Sequence, residues 1–209
     1  IKQAFKKLFK IGFPVFLVSY AVTFTDTFPR LFILSFGDEY MMGLYAPVIM
    51  MLGAVSLFPN TLITYMYPKF SFKLGQNQNT QQIWKTLVKI YLFSIVFISI
   101  FAVLIFFLLD FFIVLFPKYK ESLPYIRLAL LICPFVVYRI GNTINVVYKK
   151  YNYMIAYAVL YALVQVGSIF VLSNIYSDIL KIAIVSQIIT YASLLLFSIY
   201  MNFLLIRKQ

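Results

Sequence analysis

The sequence predicts an all-α integral membrane protein, a bundle of six transmembrane helices with both ends of the chain in the cytoplasm. Of its 209 residues, 63% are hydrophobic and only 11% are charged, whereas a soluble domain is roughly 45–50% apolar and about 25% charged. The mean hydropathy is +0.93. The apolar residues form six runs, and each run is long enough to cross a hydrocarbon layer about 30 Å thick.

The polar residues between these runs set the boundaries of the helices. Lys2, Lys6 and Lys10 recur every four residues, which predicts a short amphipathic surface helix before the first span. A long polar segment, 69–86, separates the second span from the third, and Thr80 is the predicted N-cap of the next helix. The other connections are short. The predicted spans are 11–36, 43–67, 90–109, 125–148, 153–175 and 182–206.

The distribution of basic residues predicts the orientation. Twelve lysines and arginines flank the spans on the side of the two termini, against three on the other side, Lys118, Lys120 and Lys181. The positive-inside rule therefore places both termini in the cytoplasm. The same asymmetry accounts for most of the net charge of +12, so no nucleic-acid partner is expected.

Composition also excludes several kinds of chemistry. The chain has no histidine and one cysteine, Cys133. An internal disulfide, a metal site built from histidines and cysteines, and catalysis by a Ser/His or Cys/His pair are thereby excluded. We expect no enzyme activity, no catalytic or metal-binding residues and no bound cofactor.

A polar stripe runs along the first span. Ser19, Thr23, Asp26 and Arg30 are spaced by four, three and four residues, so they share one face of the helix. Pro29 lies within the stripe and predicts a kink. One interpretation pairs Asp26 with Arg30 on the same helix, with Arg30 reaching toward the nearer membrane surface. The other places both residues on a functional cavity.

Arg139 lies near the middle of the fourth predicted span, and no acid in that span neutralises it. Asn142 and Thr143 follow at helical spacing and extend a polar arc. Three interpretations are open: an ion pair with Asp26 on the first helix, a cavity residue that faces an anion, or an arginine that reaches the lipid surface. Arginine suits phosphate and carboxylate geometry.

Three further polar patterns lie within the spans. Asn60, flanked by Pro59, continues a stripe on the second span that either lines a cavity or packs against another helix. Small polar residues on the last two spans predict packing seams, including Gln165, Ser186 and Thr190. Tyrosines near the ends of spans, Tyr45 among them, predict an interfacial belt. The candidate cavity residues are Arg139, Arg30, Asp26, Asn142 and Asn60.

The chain resembles a known family over nearly its whole length. The motif GFP at Gly12, the run PRLFILSFGDEYMMGLYAPVIMM, the proline at Pro68 and the run FPKYKESLPYIRLALLI resemble the second half of bacterial polysaccharide flippases. These proteins belong to the multidrug/oligosaccharidyl-lipid/polysaccharide (MOP) exporter superfamily. Many members have adjacent Asp and Arg in the first of these helices, whereas here three residues separate Asp26 from Arg30. The last helix begins SDILKIAIVSQ instead of with a Gly- and Ala-rich segment.

The resemblance implies a protein of twelve helices in two lobes, with residues 1–209 forming the C-terminal lobe. It implies export of lipid-linked oligosaccharide or polysaccharide repeat units (O-antigen or capsule) across the bacterial inner membrane by alternating access, with coupling to Na⁺ or H⁺. The expected partners are this substrate, membrane lipids and an N-terminal six-helix lobe. The chain opens with Ile1, and we expect it to be a piece of a longer protein.

Three other functions are compatible with these patterns. The first is a cation-coupled multidrug-type exporter of the same fold, in which Asp26 is essential and Arg139 dispensable. The second is a membrane enzyme of the same pathway, against which stand the lack of histidine and of a long loop outside the membrane. The third is a non-catalytic membrane subunit of a polysaccharide assembly system.

Overall fold

A computed structural model of the chain describes residues 2–75, 80–148 and 150–207, and this part is helical apart from short connections. Within some of these helices, including residues 142–145, the side chains are not described. Seven α-helices and two 3₁₀-helices occur in the described residues. In chain order they are α1 (Lys2–Phe36), α2 (Glu39–Gly75), α3 (Thr80–Leu115), a 3₁₀-helix (Pro117–Ser122), α4 (Leu123–Ala129), a second 3₁₀-helix (Leu130–Val137), α5 (Tyr138–Val147), α6 (Tyr151–Ser173) and α7 (Ile179–Arg207).

Five helical segments in the described residues are long and apolar enough to cross a membrane. They correspond to the second through sixth predicted spans. The first predicted span lies within α1, a helix of 35 residues, where several side chains lie outside the described residues. The prediction of an all-helical, multi-pass membrane protein is therefore confirmed. The segments are Glu39–Lys73, Trp84–Leu115, Pro117–Gly141, Tyr151–Ser173 and Ile179–Leu204.

The helices extend beyond the predicted spans on the side of the two termini. The predicted separate surface helix is wrong, because α1 is continuous from Lys2. Most of the polar segment 69–86 is also helical, and only 76–79 lie outside the described residues. Adding residues to an existing helix is much easier than nucleating one, and the Lys- and Gln-rich ends of these spans are good helix formers.

The prolines of the two polar stripes do not end their helices. Pro29 lies within α1, and Pro59 and Pro68 lie within α2. Proline is tolerated inside membrane helices because neighbouring groups can satisfy the backbone carbonyl that it leaves without a donor.

The fourth span is interrupted, although the sequence pattern predicts one continuous helix over 125–148. Its middle, Leu130–Val137, is a 3₁₀-helix of eight residues with Pro134 inside it. Runs of 3₁₀-helix longer than three or four residues are uncommon, and within a helix they often mark a hinge. The segment ends directly before Tyr138 and Arg139, so it sets the direction in which these side chains leave the helix.

Helix α7 lies at the centre of the bundle and packs against α1, α5 and α6. The predicted polar seam is present here. Gln165 Nε2 donates a hydrogen bond of 3.0 Å to Ser186 Oγ, and Thr190 Oγ1 donates to the Ser186 carbonyl at 2.7 Å. Helix α3, by contrast, is mostly exposed, and most of its exposed side chains are apolar.

Gly141 allows α5 to approach its neighbours closely. A Cβ atom at this position would lie 1.6 Å from Ser198 Oγ and 2.0 Å from the Tyr91 hydroxyl oxygen. Asn202 Nδ2 also donates to the Gly141 carbonyl at 3.3 Å. This contact fixes the helix that carries Arg139 against α3 and α7.

Candidate functional site

A polar cavity of about 300 Å³ lies among α1, α2, α5 and α7. Four of the five predicted cavity residues line it together, although they come from three different helices. The residues of the lining are Asp26 and Arg30 on α1, Tyr45, Ile49, Leu52, Gly53, Ser56 and Asn60 on α2, Arg139 on α5, and Gln187 and Tyr191 on α7. The side chain of the fifth predicted residue, Asn142, lies outside the described residues.

The cavity lies within the lengths of its helices, away from their ends. At a rise of 1.5 Å per residue, Asp26 is about 15 Å from the end of α1 at Phe36. Tyr191 is about 18 Å from the start of α7 at Ile179 by the same measure. Arg30, six residues before Phe36, is about 9 Å from the end of α1 by the same measure.

Asp26 pairs with Arg139, and not with Arg30. Arg139 Nη2 donates to Asp26 Oδ2 at 3.1 Å, and about a quarter of each side chain is exposed. Arg139 thus forms the interhelical ion pair that was one of its open alternatives, and it also lines the cavity, whereas the interpretation that pairs Asp26 with Arg30 is wrong. Spacing along α1 would also allow Asp26 to pair with Arg30. The tertiary structure instead brings Arg139, on α5, next to the Asp26 carboxylate.

Two tyrosines complete the surroundings of the Asp26 carboxylate. The hydroxyl groups of Tyr161 and Tyr191 both donate to Asp26 Oδ1, the second at 3.1 Å. Both carboxylate oxygens therefore accept hydrogen bonds from neighbouring helices. Hydrogen bonds to a charged group contribute about 1.5–3 kcal/mol each, so this arrangement holds the Asp26 side chain between α5, α6 and α7.

The tyrosines belong to a buried aromatic cluster beside the ion pair. Tyr138 packs against Tyr191 with ring centroids 4.7 Å apart, and against Tyr161 at 6.2 Å. The Arg139 guanidinium carbon lies 5.6 Å from the centre of the Tyr138 ring. The cluster thus holds Arg139 from one side while Asp26 binds it from the other, which fixes its position.

Arg30 is the uncompensated charge of the cavity. Its side chain is exposed, and no carboxylate or hydrogen-bond acceptor among the described residues binds it. The lining has two arginines and one aspartate, so one net positive charge remains after Asp26 and Arg139 neutralise each other. That remaining charge is on Arg30, whose side chain faces the open part of the cavity.

Asn60 and Ser56 contribute the neutral polar groups on α2. Ser56 Oγ donates to the Leu52 carbonyl at 2.7 Å, within its own helix. Asn60 is exposed at the cavity and forms no interhelical hydrogen bond in the described part of the chain. The structure therefore places this stripe on the cavity, and not in a packing seam.

Tyr45 and Gln187 line the cavity although they were not predicted to do so. The Tyr45 hydroxyl donates to Gln187 Oε1 at 2.9 Å, and Tyr45 is only 1% exposed. The prediction that Tyr45 belongs to an interfacial belt is therefore wrong. The sequence did contain a signal for Gln187, which lies next to the small polar row on α7. An amide in a membrane helix needs a partner, so a polar neighbour on another helix could have been expected.

Comparisons of the chain with protein-family models, with curated proteins and with solved structures find no match. The family resemblance that the sequence motifs indicate thus remains a prediction.

Proposed function

We propose that this chain is one lobe of a transporter that exports lipid-linked oligosaccharide across the bacterial inner membrane by alternating access. In this proposal the polar cavity receives the anionic phosphate groups that link the sugar to its lipid. The observation that carries the proposal is Arg30, an unpaired cation on a polar cavity inside the helix bundle.

The energetic cost of such a charge supports a functional role. A charged residue at the centre of a membrane helix costs roughly 2.5–3.5 kcal/mol on insertion scales. Asp26 reduces this cost for Arg139, but no carboxylate does so for Arg30. Arginine forms paired, charge-assisted hydrogen bonds with phosphate, so an anionic substrate would supply the missing partner.

The two arginines have different roles in this proposal. Arg30 contacts the phosphate. Arg139, already bound by Asp26 and packed on Tyr138, adds positive potential and positions Asp26. The cavity volume of about 300 Å³ lies at the lower end of the range of about 300–1,000 Å³ for small-molecule sites. A partner lobe would supply the rest of a site for a headgroup of several sugars.

The interrupted fourth span supports a moving transporter. Alternating access requires elements that change direction between two states. The 3₁₀-helix Leu130–Val137 lies between α4 and α5, two residues before Arg139. Rotation at this segment would turn Arg139 relative to Asp26, so the ion pair could form in one state and loosen in the other.

Export in cells tests the proposal. The full-length protein carrying Arg30→Gln should lose export of surface polysaccharide at unchanged protein level in the membrane, because the phosphate loses its cationic partner. Arg127→Gln is the matched control, since Arg127 lies outside the cavity and pairs with Asp110; export by this variant should persist. Normal export by Arg30→Gln would show the proposal to be wrong.

One observation favours a second candidate function, the cation-coupled multidrug exporter. Asp26 is a carboxylate surrounded by tyrosine hydroxyls, and such a group could exchange Arg139 for a transported cation. The double variant Asp26→Asn/Arg139→Gln distinguishes the two functions, because it removes the ion pair but keeps the net positive charge of Arg30. The flippase proposal predicts residual export by the double variant, whereas a carrier that needs Asp26 would lose all transport.

A further inference from the structure

A second cavity lies on the other face of α2, away from the polar one. Its volume is about 540 Å³, and it runs between α2, α3 and the 3₁₀-helix Pro117–Ser122. Its walls are apolar side chains, among them Met50, Leu108 and Phe112. Met50 and Phe112 are exposed, so this groove opens on the surface of the helix bundle.

A lysine stands at the rim of this groove. Lys118 lines it together with Tyr119 and lies just beyond the end of α3, on the side opposite the termini. Its ammonium nitrogen is 4.9 Å from the centre of the Tyr119 ring. The groove therefore has an apolar interior at the depth of lipid chains and a cation at the level of lipid headgroups.

The carboxylates nearby in the chain are bound to other groups. No ion pair among the described residues includes Lys118, so its charge is open to an external anion. The partners of these carboxylates are Arg127 for Asp110 at 2.7 Å, Tyr40 for Glu121, and Lys181 for Asp178 at 3.4 Å.

We propose that this groove binds an anionic phospholipid of the extracytoplasmic leaflet, with one acyl chain between α2 and α3 and the phosphate at Lys118 Nζ. The membrane location and the apolar walls favour a lipid chain. The unpaired cation favours a negatively charged headgroup over a zwitterionic one, because a basic residue near the surface attracts anionic lipid. This site is separate from the proposed transport cavity and does not depend on it.

Another apolar groove, different from the one at Lys118, allows a comparison within the same protein. It has a volume of about 640 Å³, lies on the other side of α3 and has Arg127 on its lining. Arg127 is neutralised by Asp110 at 2.7 Å. This groove can accept a lipid chain, but its basic residue gives no preference for an anionic headgroup.

Native mass spectrometry of the full-length protein tests the proposal. The protein is equilibrated with equal amounts of phosphatidylglycerol and phosphatidylcholine, and the retained lipids are counted. We expect a preference for phosphatidylglycerol of about fivefold, the effect of one basic residue facing an anionic lipid. Lys118→Ala should remove this preference, and Lys120→Ala, a control at a neighbouring exposed lysine outside the groove, should keep it.

A groove-filling variant separates headgroup attraction from a true binding site. Met50→Trp places a larger side chain in the groove and leaves Lys118 intact, so it should also lose the retained phosphatidylglycerol. Equal losses from Lys118→Ala and Lys120→Ala would overturn the proposal in favour of general surface charge. Full retention by Met50→Trp, or no retained lipid on the unmodified protein, would overturn it as well, the latter because another protein surface then covers the groove.

Discussion

The lining of the polar cavity contains one paired arginine and one unpaired cation, and so do the linings of the two apolar grooves taken together. In the cavity Asp26 binds Arg139 at 3.1 Å and leaves Arg30 free. At the rim Asp110 binds Arg127 at 2.7 Å and leaves Lys118 free. The two regions differ in their walls, because amide and hydroxyl groups surround Arg30, whereas apolar side chains of α2 and α3 surround the groove below Lys118.

This difference shows that the kind of anion an unpaired cation favours depends on the groups around it. A free arginine in a polar cavity favours a hydrophilic anion. A free lysine above an apolar groove favours an anion that carries its own hydrocarbon chain. The ion pairs themselves also differ, since the side chains of the inner pair are 28% and 26% exposed and those of the outer pair 37% and 69%.

The largest expected effect comes from breaking the inner ion pair. Asp26→Asn should lower the free energy of unfolding by about 3 kcal/mol, because removing one partner leaves a charge uncompensated inside the protein. Asp110→Asn should cost less than about 1 kcal/mol, as is usual for exposed pairs. Denaturant unfolding in detergent micelles measures both. Equal costs would contradict the distinction between the two regions.

The contact at Gly141 gives the next effect. Gly141→Ala should destabilise the protein by about 1–3 kcal/mol, since its Cβ would overlap Ser198 and Tyr91. It should also reduce export, because α5 carries Arg139. Gly167→Ala is the control, as nothing lies within 4 Å of that Cβ, and should be neutral or slightly stabilising. Thermal unfolding of both variants and export by the full-length protein measure these effects. A neutral Gly141→Ala would contradict the close approach of α5 to Ser198 and Tyr91.

Removing single hydrogen bonds to Asp26 should have a smaller effect. Tyr191→Phe deletes one hydroxyl that donates to Oδ1 and should cost about 1.5 kcal/mol or slightly more, because the acceptor is charged. Tyr200→Phe, at an exposed position on the same helix, is the matched control and should change stability by less than about 0.5 kcal/mol. If unfolding experiments give the same value for both, the hydroxyl of Tyr191 does not stabilise Asp26.

The smallest effect is expected at the rim. Lys118→Ala should leave stability in neutral detergent within about 0.5 kcal/mol of the unmodified protein. Phosphatidylglycerol should raise the Tm of the unmodified protein, since a ligand that binds only the folded state stabilises it. The variant should show a smaller rise. An identical rise in both proteins would contradict the proposed lipid site and would not bear on the proposal for the polar cavity.

The sequence predicts the membrane class well because it is a property of composition and run length. Helical spacing also places Asp26, Arg30 and Asn60 on the correct faces of their helices. Spacing cannot say which helices meet, and so the choice of Arg139 over Arg30 as the partner of Asp26 could not be predicted. It depends on the packing of α1, α5 and α6, in which Tyr161 binds the same carboxylate.

Two other features also depended on tertiary structure. The 3₁₀-helix at Leu130–Val137 interrupts a strongly apolar run, and apolar residues carry no signal that distinguishes it from an α-helix. Pro134 was the local residue that could have indicated an interruption of the α-helix. Tyr45 lies near a span end in sequence, where tyrosines commonly face the membrane surface, but its partner Gln187 is on α7 and draws its hydroxyl inside.

Binding of a prenyl diphosphate to the purified full-length protein tests the role of Arg30 most directly. The unmodified protein and Arg127→Gln should bind it equally, and binding should weaken as salt rises. Arg30→Gln should weaken it by about tenfold or more, the loss expected for a hydrogen bond between charged groups. Undiminished binding by Arg30→Gln would contradict the claim that the unpaired arginine of the cavity recognises the anionic headgroup.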